Sequence, residues 1–259
     1  MEHSKIGFYL SKYIEIGLFT AGITVVCLLL LASCKKECKM RPGSFKTEII
    51  EPGVFHEIIL EGQMQVTLVQ DSSYRVSVSA NETILEGIKT EVNSDKLTIL
   101  NQNGCRVFRG YASDNVEVKI GVGQLSKIRM TLPGALKCAD TLKGSDLVAE
   151  IFDCSGNLSL CLNYNKAEIV NIKGAADITI SGKAHQLYLR NEDKGFIYGQ
   201  SLLGQHVEVV QEGLGDIYVL ADQTLQIEMR SGGNVIYSGN AVPKIEIGPV
   251  NRGTASRKN

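Results

Sequence analysis

The chain of 259 residues has no tryptophan, only 5 prolines, and no surplus of either charge, with 27 Lys and Arg against 28 Asp and Glu. The balanced charge excludes a nucleic-acid partner, because phosphate binding needs clustered basic residues. With 44% hydrophobic residues and 26 glycines, the chain can bury a core and is not a disordered polymer. No Cys-x-x-Cys pair is present, which argues against a structural zinc site. His56, His185 and His206 are scattered and match no metalloprotease spacing, so they read as structural residues. Beyond residue 40 no convincing amphipathic helix occurs. The one candidate, Thr83 to Glu91, is short and contains Gly87.

What is present begins with a targeting segment. Lys5 and Lys12 precede an uncharged apolar run from Ile16 to Leu31, which ends in Leu31-Ala32-Ser33-Cys34. A large aliphatic residue, two small ones and Cys resemble the lipobox of a bacterial lipoprotein signal peptide. The resemblance implies cleavage of residues 1–33 and diacylation of Cys34, anchoring the protein to a membrane. An uncleaved transmembrane anchor is the competing account, since the run lies near the lower limit for crossing a bilayer. Residues 34–50, with Lys35, Lys36, Glu37 and Lys39 before Arg41-Pro42-Gly43-Ser44, read as the lipidated end and a polar tether. With Cys34 committed to lipid, Cys38, Cys105, Cys138, Cys154 and Cys161 remain, an odd number that forms no regular disulfide framework. Cys138, Cys154 and Cys161 read mainly as small core or turn residues. An oxidising compartment permits one disulfide among the five, with connectivity left open.

Residues 51–124 carry period-two patterns such as MQVTLV (64–69) and YRVSVS (74–79), with the turn Asn93-Ser94-Asp95 before KLTIL (96–100). From 125 to 250 the pattern repeats. First strands carry inward candidates at Ile128 and Met130, Ile151, Val170 and Ile172, Leu187 and Leu189, Val207 and Val209, and Ile227 and Met229; the last members step by 21, 21, 17, 20 and 20 residues. Second strands follow small-residue turns, with apolar anchors Leu136, Leu158, Ile178, Ile197, Ile217 and Val235 stepping by 22, 20, 19, 20 and 18. Two landmarks sharing a period of about 20 residues indicate stacked coils, each too small to bury its own inward face. Residues 251–259 read as a polar tail.

The order of these segments resembles one known family. Phe55 to Gly62, Met64 to Val69, YRVSVSANETILEGIKTEVNSDKLTI, and the glycine-flanked ADITISG, GDIYV and GNVIYSG are similar to the putative auto-transporter adhesin, head GIN domain family of bacterial lipoproteins. The resemblance covers roughly residues 53 to 250. It implies an all-β, right-handed parallel β-helix-like solenoid with coils of about 20 residues, like the pectin lyases but without their catalytic residues. It also implies a role in adhesion or envelope structure, with no cofactor. Instead of the family's Ser-Gly-Ser-Gly-Asp turns, this chain has Glu212-Gly213-Leu214-Gly215-Asp216, Arg230-Ser231-Gly232-Gly233-Asn234 and Glu192-Asp193-Lys194-Gly195.

Three surface features invite a functional reading. Asn157, Asp177, Asp216 and Asn234 share one repeat position, and side-chain oxygens in a column can hold calcium. Asx residues more often cap turn amides, so we read the column as a structural ladder with no metal. If the inward assignments hold, the outward column of the first strands is Arg129, Glu150, Asn171, Tyr188, Glu208 and Glu228. Glu208 and Glu228 would then be close carboxylates, but no basic residue beside them completes a lyase site, and we assign no catalytic residue. The outward column of the second strands is Lys137, Ser159, Thr179, Tyr198, Tyr218 and Ile236. Cross-strand packing is the simpler account of Tyr198 and Tyr218. The stripe they form with Ile236 is nevertheless the most specific binding surface the chain offers, for sugar rings or a surface protein.

The stretch SGGNVIYSGN (231–240) resembles a phosphate loop only superficially, since no Lys-Ser or Lys-Thr and no helix start follows its glycines. It reads instead as the last complete coil, with Val235 and Tyr237 inward and Lys244 to Val250 as a cap. The expected protein is therefore a non-catalytic, lipid-anchored module of the bacterial envelope, an outer-membrane lipoprotein facing the periplasm or the outside. The rivals are a carbohydrate-active β-helix enzyme and a structural envelope protein held by an uncleaved helix.

Overall fold

A computed structural model describes residues 44–103, 115–131 and 134–258. The signal segment, Cys34, Cys38 and Cys105 lie outside the described residues. Among the described residues there are seventeen strands: β1 (Phe45–Ile50), β2 (Glu57–Glu61), β3 (Gln65–Gln70), β4 (Val76–Asn81), β5 (Ile88–Asn93), β6 (Lys96–Asn101), β7 (Glu117–Val122), β8 (Lys127–Thr131) and β9 (Ala135–Cys138) precede the long strands. Then come β10 (Leu142–Cys154), β11 (Asn157–Gly174), β12 (Asp177–Asn191), β13 (Ile197–Gln211), β14 (Ile217–Met229), β15 (Val235–Ser238), β16 (Pro243–Ile247) and β17 (Ala255–Arg257). One short helix, α1 (Glu82–Leu85), tucks Ile84 and Leu85 into the core. The Thr83 to Glu91 segment is thus one helical turn followed by strand.

The long strands each bend through a corner and pair in parallel with the equivalent strand of the next coil, giving a β-solenoid of about six turns. On the first face the register aligns Ile128, Ala149, Ile169, Leu189, Val209, Ile227 and Ile245, stepping by 21, 20, 20, 20, 18 and 18 residues. On the second face Leu136, Leu158, Ile178, Ile197, Ile217, Val235 and Ala255 align, as the sequence period indicates. All of these up to Val235, apart from the partly exposed end residues Ile245 and Ala255, are buried.

The inward assignment in one coil is corrected. Ile169 and Asn171 face the core at 0% exposure, whereas Ile172 is only half-buried. Apolarity alone favours Val170 and Ile172 over an asparagine, which shifts that coil by one residue, while Leu189 and Val209 align with Ile128 rather than with Met130, so the uneven steps mix two inward columns. Asn171 belongs instead to an interior amide column with Asn191 and Gln211, all fully buried. Such burial is tolerated because the amides hydrogen-bond where the backbone turns. Asn191 Nδ2 donates to the carbonyls of Gly195 and Gly215, at 2.9 Å each, and Gln211 Nε2 to Gly215 at 2.8 Å.

The turn glycines stack as closely as the strands. A Cβ on Gly215 would lie 2.0 Å from the carbonyl oxygen of Gly195, and one on Gly253 2.0 Å from that of Gly233. Close backbone approach, rather than ligand binding, therefore selects glycine here. In the other corner Tyr164 points inward, donates to the Leu125 carbonyl at 3.0 Å, and packs where a Cβ on Gly144 would meet its ring. Burial pushes its hydroxyl pKa up to about 12.

Both ends depart from the expected boundaries. Residues 45–50 of the anticipated tether are β1, paired antiparallel with β4. The coil of β2 and β3 lies between that of β6 and β7 and that of β8 and β9, so stacking order differs from chain order at this end. β5 and β6 form an antiparallel hairpin whose turn residues Ser94 and Asp95 have φ of 46° and 74°, the left-handed pair a two-residue hairpin favours. At the other end, residues 243–247 are a further first strand on β14, and 255–257 of the supposed polar tail are a second strand on β15. SGGNVIYSGN is therefore not the last coil.

Candidate functional site

The second face carries the candidate site. Parallel register sets Lys137, Ser159, Thr179, Tyr198, Tyr218, Ile236 and Ser256 in one outward column. Coils about 4.8 Å apart bring equivalent side chains into contact. The Tyr198 and Tyr218 rings stack with centroids 5.4 Å apart and planes at 20°. Phe196, two residues before Tyr198 and so on the same face, stacks on it at 5.9 Å and 9°. The three rings and Ile236 are all half-buried, leaving edges and part of their faces open. Alternation about Ile197 alone places Phe196 on the outward side.

The Asx column runs beside the stripe, and its hydrogen bonds pass from coil to coil. Asp177 Oδ1 accepts from the Phe196 amide at 3.4 Å, and Asp216 Oδ1 from the Asn234 backbone N–H at 2.8 Å and side-chain amide at 3.0 Å. Asn234 Oδ1 in turn accepts from Thr254 N and Oγ1, both at 3.0 Å. Asn157 stands opposite Asp177 in the register. Phe196 takes the Asx position in its own coil, so the aromatic stripe interrupts the ladder. Among the described residues no three His, Cys, Asp or Glu side chains converge on a metal site. The Tyr198 hydroxyl is held above its usual pKa by desolvation, with further contributions from Asp177, Tyr218 and Asp216. Asp177 and Asp216 hold the position of Phe196 one coil to either side, beside the aromatic stack.

The first face carries a groove of about 1010 Å³, lined among others by Lys166, Tyr188, Arg190, His206, Glu208 and Gln226. The proximity of Glu208 and Glu228 is corrected here. Glu208 lies opposite Gln226, and Glu228 opposite Val210, because Val209 aligns with Ile227 rather than with Met229, a two-residue offset that sets the two carboxylates in different columns. Glu228 instead accepts from Arg230 Nε at 2.6 Å. Arg190 and Arg230 both bind Glu212, Arg190 Nε at 2.8 Å. Much of the charge around this groove is paired within the protein. His185 and His206 meet edge to face at 5.0 Å, and their Nδ1 atoms pair with Gln205 and Thr224. His56 Nδ1 pairs with Asp95 at 2.6 Å.

Cys138, Cys154 and Cys161 are free thiols, Cys154 buried. Burial pushes Cys138 up to about 11, away from the reactive thiolate. No described helix is long and apolar enough to cross a membrane.

One solenoid thus combines small-residue corners, an Asx ladder and an outward aromatic stripe. Residues 54–241 match the model of the family "Putative auto-transporter adhesin, head GIN domain", and the chain belongs to that family. Its fold is similar to that of a putative adhesin from Bacteroides fragilis, at 18% identity and a TM-score of 0.73 over 83% of this chain and 97% of that one. A putative adhesin from Parabacteroides merdae is similar at 18% identity and a TM-score of 0.63, covering 84% and 97% of the two chains. A third similar structure, described as a putative lipid binding protein from Parabacteroides distasonis, has 15% identity and a TM-score of 0.64 over 84% and 98%. No curated protein matches the chain. The family supports a surface or adhesion-type role at the cell envelope.

Proposed function

We propose that this protein is a lipid-anchored envelope module that binds glycans on the second face of its solenoid and does not cleave them. The observation that carries this reading is the stacked pair Tyr198 and Tyr218, outward, half-buried and flanked by Asp177 and Asp216. Aromatic faces receive the apolar face of a sugar ring, and carboxylate oxygens accept its hydroxyls. Each Asp commits Oδ1 to the ladder, which fixes the carboxylate beside the rings. Ile236 extends the apolar surface by one coil. Binding without cleavage is favoured because the register separates Glu208 from Glu228, the pair that had motivated an enzymatic reading.

Anchoring through Cys34 rests on the lipobox-like Leu31-Ala32-Ser33-Cys34. A palmitate analogue should label the full chain and not its Cys34→Ser variant; equal labelling would remove the anchor from the account. The binding claim is tested by titrating the protein against a polysaccharide panel. Saturable binding lost in Tyr218→Ala, with intact polysaccharide recovered, is expected. Bond cleavage, or binding indifferent to Tyr218, would overturn it.

A further inference from the structure

The last coil leaves an edge open. Among the described residues β16 pairs only with β14, and β17 only with β15. Ile245 and Ile247 continue the inward columns of Ile227 and Met229. With no described coil stacked on them they are 38% and 71% exposed, while the nearby Val242 and Val250 reach 85% and 74%. Four of the nine exposed large hydrophobic residues among those described thus fall between 242 and 250. A strand edge of this composition is a template for another strand.

The backbone fixes which groups are on offer. Gly248 donates its N–H to the Met229 carbonyl at 2.7 Å. Backbone groups alternate sides along a strand, so Lys244 and Glu246 direct theirs to β14 and Pro243, Ile245 and Ile247 direct theirs to the open edge. Pro243 has no N–H to leave unpaired there, as suits an edge position. Lys244 and Glu246 flank Ile245 on the outward face and pair with each other at 2.7 Å.

We propose that two copies of this chain join through this edge, β16 running antiparallel to β16 about a two-fold axis at Ile245. In that register Ile245 exchanges both of its hydrogen bonds with Ile245 of the second copy, and each Ile247 N–H donates to a Pro243 carbonyl. Lys244 of each copy then stands directly opposite Glu246 of the other. Centring the axis on Pro243 or Ile247 leaves both charges without an opposite partner, and parallel pairing sets like charges side by side. The sequence Pro-Lys-Ile-Glu-Ile is therefore self-complementary in one register, and the two apolar ends close over each other.

The test uses the full chain in detergent, with differently tagged copies and sedimentation mass as readouts. Wild type is expected to be a dimer. Lys244→Glu alone, or Glu246→Lys alone, places like charges opposite each other twice and should weaken self-association about tenfold. The double variant Lys244→Glu/Glu246→Lys should restore it, and the two single variants should dimerise when mixed. The single variants should keep the circular-dichroism spectrum of wild type, which separates lost association from lost folding. A monomeric wild type, single variants that associate like wild type, or failure of the swap to rescue would overturn the proposal. Masses that grow beyond a dimer with concentration would also overturn it, since they indicate end-to-end stacking on β1 or β5.

Discussion

Asn171 donates its side-chain amide to Asn191 Oδ1 over 2.8 Å inside the solenoid, one coil to the next. Asn171 Oδ1 has no hydrogen-bond partner, whereas Asn191 is fully engaged by Asn171, Gly195 and Gly215. The column is therefore anchored at Asn191. Replacing Asn191 by Ala strands the Gly195 carbonyl and the Asn171 amide and leaves the Gly215 carbonyl to Gln211 alone, and should cost about 2–4 kcal/mol in a denaturant titration. Asn171→Ala should cost less, about 1–2 kcal/mol, because part of its capacity is already unused. The reverse order would refute an amide column that holds the corner.

The stacked corners predict a sharp contrast between two glycines. Gly215→Ala drives a methyl into the Gly195 carbonyl at 2.0 Å and should destabilise by about 2 kcal/mol or more. Gly232→Ala meets only a Leu214 methyl at 3.2 Å and should change stability by less than about 0.5 kcal/mol. Thermal melts of the two variants check this directly. Equal losses would mean that close coil approach is not what selects glycine.

Glu212 predicts an acid-side signature. Its partial burial raises its pKa, but hydrogen bonds from Arg230 and Arg190 outweigh this and hold it below 4.5. Glu192 and Glu228 complete the cluster around the two arginines. A carboxylate whose pKa is depressed on folding contributes stability that is complete above its unfolded pKa and lost as pH falls through the folded value. Stability should thus decline as pH drops below about 4.5, and Glu212→Gln should be less stable at neutral pH with a shallower decline. Parallel curves for the two proteins would contradict the linkage.

The β-solenoid and its outward Tyr198–Tyr218 column were legible because both follow from one arithmetic period and from apolar anchors such as Ile197 and Ile217. Periodicity carries no information on stacking order, so it could not place β2 between β6 and β8. Nor could apolarity find Asn171, Asn191 and Gln211 in the core, because their partners are carbonyls at turns rather than residue types in a pattern. Asn191 and Gln211 hold inward positions that apolarity gives to Leu189 and Val209, and this two-residue offset creates the apparent Glu208–Glu228 pair. At the end, Lys244 and Glu246 look like a polar cap, and only the register of Ile245 on Ile227 reveals another coil.

The central proposal is that the stripe formed by Tyr198, Tyr218 and Ile236 binds glycans, and that the module carrying it is reachable from outside the cell. The most direct measurement is binding of fluorescent polysaccharides to intact cells expressing wild type or Tyr198→Ala/Tyr218→Ala at matched protein levels. The account predicts saturable labelling that falls at least about tenfold in the variant, the loss expected when both stacking rings are removed. Equal labelling of wild-type and variant cells across the panel would contradict it.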